Sequence, residues 1–575
     1  MNKPCALRCL PLIASIWTIC WLFPVGEVSA QLRIATYNTL DNPTDTTDDG
    51  RLTAIMGAIG TTPVNGITKR VDVLALQEQT ISPPSTNTVG RTAAVLNALY
   101  GVSSYKPIVV GFGSDQLAFV YDESTVEALA MNDFDVGTRI GAWAQLRPVG
   151  YTSPEAVFNV YSVHLKASSG DTDKNIRESE AVNIRAHAAG LGDGANLIYM
   201  GDFNIGASTD ADDAYDELMV AGVNQPVDPT GLVLWPNSSA AVSRQLTQST
   251  RTSQLGDGGA TSGIDDRFDL QFVTAPLMDG EGLSYIGPTV PGMSGLAHSH
   301  RAFGNDGTSY NIAITSPSTG RSQPANVLQA LHDFSDHLPV VADYQVPAVL
   351  ETSLGTNPLT LDLGEVFNLQ LTVRNAANVV AAIGADELDY SIRAQDVDGA
   401  LLNFSVSSQQ DLALGGGNLH QILLDTSTPG MKSDVIEIAS GSQGVQFLNC
   451  SQCVLAADHL EIPISYEVLA ATLLYGDYNQ NNVVDAADYN VWRDHLGAAF
   501  ALANEDPSAS PGFVDMDDYE VWMQNFGQTL PTGGASGVAG SNGAVPEPGA
   551  WMLLVVGACL LPRRVATLEA WTRRT

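Results

Sequence analysis

Between residues 32 and 346 the sequence alternates short β-branched runs with helical stretches. The runs are LRIATYN, VDVLALQE, QLAFVYD, FNVYSVHL, NLIYMGD, RFDLQFVT and LPVVADY, and the helical stretches include 91–100 and 176–191. Strands interleaved with helices over about 300 residues predict one large α/β domain spanning 31–346. Segments 41–50 and 280–307 are rich in Gly, Ser and Asp and read as long loops that ring a site or face solvent.

From residue 347 the pattern changes to alternating segments without helix signals, LTLDLGEVFNLQLTVRN, LDYSIRAQ, NFSVSS, DVIEIAS and LEIPISYEVL. This predicts an antiparallel, Ig-like β-sandwich over 347–470, a spacer or adhesion module with no cluster of catalytic residue types. A near repeat follows, VDAADYNVWRDHLG echoed by VDMDDYEVWMQNFG, and implies a small helical pair within 471–530.

A chain of 575 residues is long enough for two to four domains. Its 63 acidic residues against 27 basic ones give a formal charge of −36, and no basic stripe of the kind that grips a nucleic acid backbone is evident. Any polyanionic substrate must therefore be met locally, or through bound cations.

Five short blocks carry the residue types that chemistry needs: TYNTL, LALQEQ, VYSVHLK, YMGDFN and SDHLP. Asn38 and Glu78 end strands, where loops form a rim, and an amide oxygen with a carboxylate suits a hard divalent cation such as Mg²⁺. His164 ends another strand and His337 precedes one. Two imidazoles are the groups that general acid and base work on a phosphodiester requires near neutral pH. Asp202 and Asn204, in the turn GDFN, add an acceptor and an amide able to orient water and bind phosphoryl oxygens. Lys166 shares a strand face with His164 and is a candidate phosphate contact.

In their order, these blocks resemble the endonuclease/exonuclease/phosphatase superfamily, which includes DNase I, exonuclease III, neutral sphingomyelinases and inositol polyphosphate phosphatases. The resemblance covers 32–344 and implies a DNase I-like four-layer α/β sandwich of two sheets flanked by helices, with the site at one edge. It also implies a metal-dependent phosphoric ester hydrolase using Mg²⁺ (or Mn²⁺). Asn38 and Glu78 match the metal positions, with Asp336 near the metal or the phosphate, and Asp202 and Asn204 match the GDxN pair. His337 matches the acid or base, oriented by Asp269, although DRFDLQFV lacks the usual aromatic after that Asp. His164, where the exonuclease III branch carries Asn, favours the DNase I or sphingomyelinase side, and the leading expectation is an endonuclease with nucleic acid as substrate. Two other readings stand beside it: a sphingomyelin or phospholipid phosphodiesterase, and an inactive surface binding or structural protein.

GDYNQNNVVDAADYNVW places Asp477, Asn479, Asn481, Asp485 and Asp488 at positions 1, 3, 5, 9 and 12 of an EF-hand-like loop, with the Val483 carbonyl at position 7. It resembles a dockerin type I repeat, with Asn482 where Gly is usual, and so implies Ca²⁺ and a cohesin-like partner. The second copy has Pro507, Ala509 and Pro511 at positions 1, 3 and 5, so one calcium site is expected. Residues 1–30 read as a secretory signal, and Cys450 and Cys453 as a local disulfide or two idle thiols. After a linker at 531–544, the segment 545–575 has VPEP, a short apolar run and an Arg pair, and resembles a PEP-CTERM sorting tail. That tail implies an exosortase-type processing enzyme, transient membrane contact, and a final place at the surface or in the matrix of a bacterium with an outer membrane.

Overall fold

The computed structural model describes residues 31–81, 87–110, 116–208, 213–236, 238–316, 319–395, 399–402, 404–448, 450 and 452–530. The expected signal, linker and sorting tail lie outside the described residues. The chain divides into two compact units, 1–470 and 471–575.

In the first unit, strands β1 (Leu32–Asn38), β2 (Val73–Gln79), β3 (Tyr105–Val110), β4 (Gln116–Asp122), β5 (Val126–Asp135) and β6 (Ile140–Pro148) are followed by β7 (Phe158–His164), β8 (Leu197–Asp202), β9 (Asp269–Val273), β10 (Ser284–Tyr285), β11 (Arg301–Ala302) and β12 (Val340–Gln345). They build one sheet in the order β10-β12-β1-β2-β4-β3, with β11 on β12, and a second in the order β5-β6-β7-β8-β9. Helices α1 (Thr46–Thr61), α2 (Thr88–Tyr100), α3 (Asp171–Gly190), α4 (Asp213–Met219) and α5 (Ala325–Phe334) complete it.

Period-two alternation sorts each strand into two cores. Ile34, Val73, Ala75, Phe119, Val160, Ile198 and Met200 meet between the sheets. Ala35, Tyr37, Leu74, Leu76, Tyr161 and Tyr199 face the other way, into the cluster that holds Leu52, Ile55, Leu96, Ile184 and Leu331 of the helices. The result is four layers, helices outside and sheets inside. The β1–β2 and β7–β8 pairs are parallel, each crossed over by a helix, α1 or α3.

Several elements depart from the sequence reading. Part of the expected loop 41–50 is the start of α1, capped by the Asp45 side chain, which accepts from the Thr47 and Asp48 amides. Strands β3, β5 and β6 go beyond the sequence expectation; along β5 most side chains face solvent, so its apolar alternation is weak. Segment 280–307 carries the two-residue strands β10 and β11.

Residues 349–469 form two packed sheets around Leu369, Leu371, Val373, Ile436, Ile438, Ile462 and Ile464. Most pairings are antiparallel, but the edge segments Thr360–Asp362 and Gln446–Phe447 pair in parallel, each reached by a long connection. The sandwich shares a core with the α/β layers, because Val349, Ala377, Val379 and Ala385 belong to the same cluster as Ile34 and Phe158. Tyr151 donates to the Pro347 carbonyl at 2.7 Å, and the Gly282 amide donates to Asp386 Oδ2 at 2.9 Å. Cys450 and Cys453 are joined by a disulfide.

In the second unit, α6 (Ala486–His495) and α7 (Met516–Asn525) each begin with an Asp capping box, Asp485 with Asp488 and Asp515 with Asp518. The pair is reciprocal: Trp492 Nε1 donates to the Asp515 carbonyl and Trp522 Nε1 to the Asp485 carbonyl, at 2.7 and 2.8 Å. Among the described residues no helix is long and apolar enough to cross a membrane.

Candidate active site

Parallel pairing brings the carboxyl ends of neighbouring strands side by side. Asn38 closes β1, Glu78 lies at the end of β2, and His164 and Asp202 are register partners at the ends of β7 and β8. Asp202 also pairs with Asp269, the first residue of β9, and His337 stands just before β12. Six candidate side chains from both sheets thus converge on one edge of the sandwich.

Local backbone choices aim them. Glu78 has φ +53° where the β2–β4 register shifts, so the irregularity turns its side chain out of the strand alternation. Gly201 at φ +139° lies so close to β7 that a Cβ there would run into the Val163 carbonyl. Ser335 Oγ donates to the Asn38 carbonyl at 2.7 Å and accepts the His337 amide at 3.1 Å, fastening the SDH turn to β1.

The centre is buried and acidic. His337 Nδ1 lies 2.8 Å from Asp269 Oδ2, while its Nε2 faces Asp202 Oδ2 at 3.7 Å. His164 Nε2 is 3.5 Å from Asp202 Oδ2 and 3.9 Å from Glu78 Oε1. Burial alone would lower the His337 imidazole, but the carboxylates of Asp269, Asp336 and Asp202 outweigh it and hold it well above its ordinary value. Glu78 is raised by burial, although His164 and Asn38 pull it down.

Ligand atoms of Glu78, His164 and Asp202 all lie within 4.8 Å of one another, a donor set of two carboxylates and an imidazole that fits a divalent cation. Asp336, expected near the metal or the phosphate, lies outside that set of three, and its Oδ1 is buried without a hydrogen-bond partner. Asn38 enters differently from the sequence expectation. Its Nδ2 donates to Glu78 Oε1 at 2.9 Å and to Asp202 Oδ2 at 3.1 Å, while its Oδ1 accepts the Leu40 amide. In this amide orientation it braces the carboxylates. Asp336 Oδ2 accepts from Gln248 Nε2 and the Ala260 amide, at 3.1 and 2.7 Å.

Asn204, at φ +52°, gives its amide N–H to Asp202 Oδ1 and its Nδ2 to the Leu165 carbonyl. Lys166 stands outside the cluster, with its ammonium against Asp173 at 3.2 Å and the Ala167 carbonyl at 3.0 Å.

Gln248 is the residue that sequence reasoning missed. Its Nε2 lies 2.7 Å from His337 Nε2, and its backbone bridges both Asp266 and His337. Nothing in RQLTQSTRTS signals this, because the placement comes from pairing of 247–250 with two segments distant in sequence. A second missed feature is Gly259, where a Cβ would collide with the Arg251 guanidinium and crowd Asp336.

No protein-family model matches the chain. No curated protein matches it either. Among solved structures it is similar to an endonuclease/exonuclease/phosphatase from Bacteroides vulgatus, with 17% identity over 55% of this chain and 100% of that one and a TM-score of 0.33. It is also similar to a mannosyl-6-phosphatase of Bacteroides thetaiotaomicron, at 14% identity over 54% and 99% of the two chains with a TM-score of 0.31. A third is D. rerio TDP2 complexed with single strand DNA product, at 15% identity over 55% and 100% with a TM-score of 0.33.

Proposed function

We propose that the chain is a metal-dependent phosphoric ester hydrolase. The observation that carries this is the buried His337–Asp269 pair set beside the converging Glu78, His164 and Asp202. Glu78, His164 and Asp202 would hold Mg²⁺ or Mn²⁺, with Asn38 bracing them. When bound, the cation supplies positive charge to the phosphoryl oxygens.

The protein's own groups do the rest. Asp269 fixes Nδ1 of His337, so Nε2 points to the reacting atoms and exchanges the proton there. In the hydrolysis a water oxygen forms a bond to phosphorus, the bond from phosphorus to the organic oxygen breaks, and one proton passes from the water to a base. A second proton reaches the leaving oxygen from an acid. Asn204 and Gln248 border the space where the phosphoryl group would lie, and their amides can orient it.

The finer expectation, nucleic acid as the ester, rests on the DNase I-like resemblance, with which His164 agrees as it does with a sphingomyelinase, and a net charge of −36 opposes tight backbone binding. The same chemistry serves a small ester. Hydrolysis of bis(p-nitrophenyl) phosphate, tested with Mg²⁺, Mn²⁺ and EDTA, checks the reaction itself. Turnover that EDTA leaves unchanged contradicts the reading.

We propose a Ca²⁺ site at Asp477, Asn479, Asn481, Val483, Asp485 and Asp488. Its support is a loop already folded around two buried carboxylates: the amides of Asn481 and Asn482 donate to Asp477, and that of Asn479 to Asp488. Asn482 has φ +66°, the left-handed conformation that its place in the loop requires. Export, a cohesin-like partner and exosortase processing remain proposals that rest on the sequence motifs.

A further inference from the structure

The Asp336 carboxylate stands at the proton-exchanging end of His337, because Gln248 Nε2 meets both Asp336 Oδ2 at 3.1 Å and His337 Nε2 at 2.7 Å. Oδ2 also accepts the Ala260 amide at 2.7 Å, whereas Oδ1 is buried without a hydrogen-bond partner. One oxygen of this carboxylate is fixed and the other is left open.

An open, buried carboxylate oxygen attracts a cation within reach. Arg251 is such a cation. Its side chain is fully buried, and a Cβ added at Gly259 would lie 2.0 Å from Arg251 Nη2 and 3.0 Å from Asp336 Cγ. Guanidinium and carboxylate thus face each other across one residue that has no side chain. Yet both terminal nitrogens of Arg251 are turned to Asp257, Nη1 to Oδ2 and Nη2 to Oδ1, each at 2.7 Å. A bidentate pair of this kind is a strong hold on a guanidinium.

Asp257 is itself anchored. Its Oδ1 accepts the Gly259 amide at 3.2 Å. The base of the loop is closed where the Ser249 amide donates to the Gly263 carbonyl and the Gly263 amide to the Arg251 carbonyl. Asp257 lies on the exposed run 252–258, and the buried guanidinium connects it to the catalytic edge.

We propose that Asp257 is a positioning residue for the hydrolysis: by holding the Arg251 guanidinium it keeps Asp336 Oδ1 free for the reacting groups. The proposal rests on the hydrolase reading and deepens it. A free carboxylate oxygen beside His337 can accept a hydrogen bond from the attacking water or meet a bound cation, and an oxygen occupied by a guanidinium does neither. Without Asp257 the buried guanidinium loses its counter-charge, and Asp336, across Gly259, offers another.

The test uses the full chain with Mg²⁺ and bis(p-nitrophenyl) phosphate. Asp257→Ala should lower kcat roughly ten- to a hundredfold with KM held within about twofold, the pattern of a misplaced reacting group with substrate binding intact. Asp257→Asn, which keeps an oxygen for the guanidinium and so protects the fold, should act in the same direction and decides the matter if the alanine variant does not fold. Adding Arg251→Met removes the competing cation while an unbranched chain fills its place, and kcat should recover by about tenfold or more. A staple that merely supported the loop predicts no recovery, because the double variant has lost both of its ends.

A kcat within about threefold of native in both Asp257 variants, a change confined to KM, or a double variant no more active than the single one would overturn the proposal. The crystal structure of the Asp257 variant reads the same claim without turnover. Arg251 within hydrogen-bond distance of Asp336 supports it, and Arg251 turned elsewhere overturns it. Absence of EDTA-sensitive turnover in the native chain would instead overturn the hydrolase reading, and the crystal structure would still decide where Arg251 goes.

Discussion

His337 and Asp269, 68 residues apart in sequence, are joined by a 2.8 Å contact between Nδ1 and Oδ2, with both side chains buried. The carboxylate fixes one ring nitrogen, which leaves Nε2, 2.7 Å from Gln248 Nε2, as the nitrogen able to exchange a proton. Asp269→Asn removes a charge that holds the imidazole up. The limb of the pH–rate profile that belongs to His337 should then move to lower pH, and kcat should fall on the order of a thousandfold. A pH profile of kcat in the variant checks this, and an unmoved limb would make Asp269 merely structural.

Metal binding should be visible without turnover. A cation that binds only the folded state raises the melting temperature as its concentration exceeds Kd. Mg²⁺ or Mn²⁺ should stabilise the chain by a few degrees, and Glu78→Gln or Asp202→Asn should abolish the increment. Thermal denaturation with and without EDTA measures it.

Asp386 gives a pH signature of stability. It is fully buried, and burial together with Glu281, Glu387 and Asp389 pushes its carboxyl up to about 8, while its unfolded value is about 4. A raised carboxyl contributes stability that is complete below the unfolded value and is lost as pH rises through the folded one. The melting temperature should therefore fall between about pH 4 and pH 8 by more in the native chain than in Asp386→Asn, whose amide oxygen can still accept the Gly282 N–H. Denaturation scans across that range compare the two slopes.

Calorimetry with Ca²⁺ should find one site per chain, lost in Asp477→Ala. Two tight ions would mean that the second loop finds ligands beyond Pro507, Ala509 and Pro511, and none would contradict the loop assignment.

Much of the site was legible because its residues end strands whose apolar alternation is strong. Asn38, Glu78, His164, Asp202, Asp269 and His337 follow or precede runs such as LRIATY, LALQ and VYSV, and the structure brings all six to one edge. Gln248 left no such mark. It sits outside the strands proper and is placed by pairing with partners near 266 and 337 that no local pattern announces. Asn38 shows a different limit: its identity suggests an oxygen ligand, yet its amide nitrogen meets both carboxylates, a matter of side-chain rotation. The same divide separates the strands. β1, β2, β7 and β8 are buried on both faces and read as apolar runs, whereas β5 is half in solvent and β10 and β11 span two residues each.

The most direct test of the hydrolase assignment is turnover of bis(p-nitrophenyl) phosphate by the full chain and by His337→Ala, each with Mg²⁺ and then with EDTA. The expected outcome is EDTA-sensitive turnover in the native chain, reduced by orders of magnitude in His337→Ala at an unchanged melting temperature. Near-native turnover in the variant, or turnover indifferent to EDTA, would contradict it.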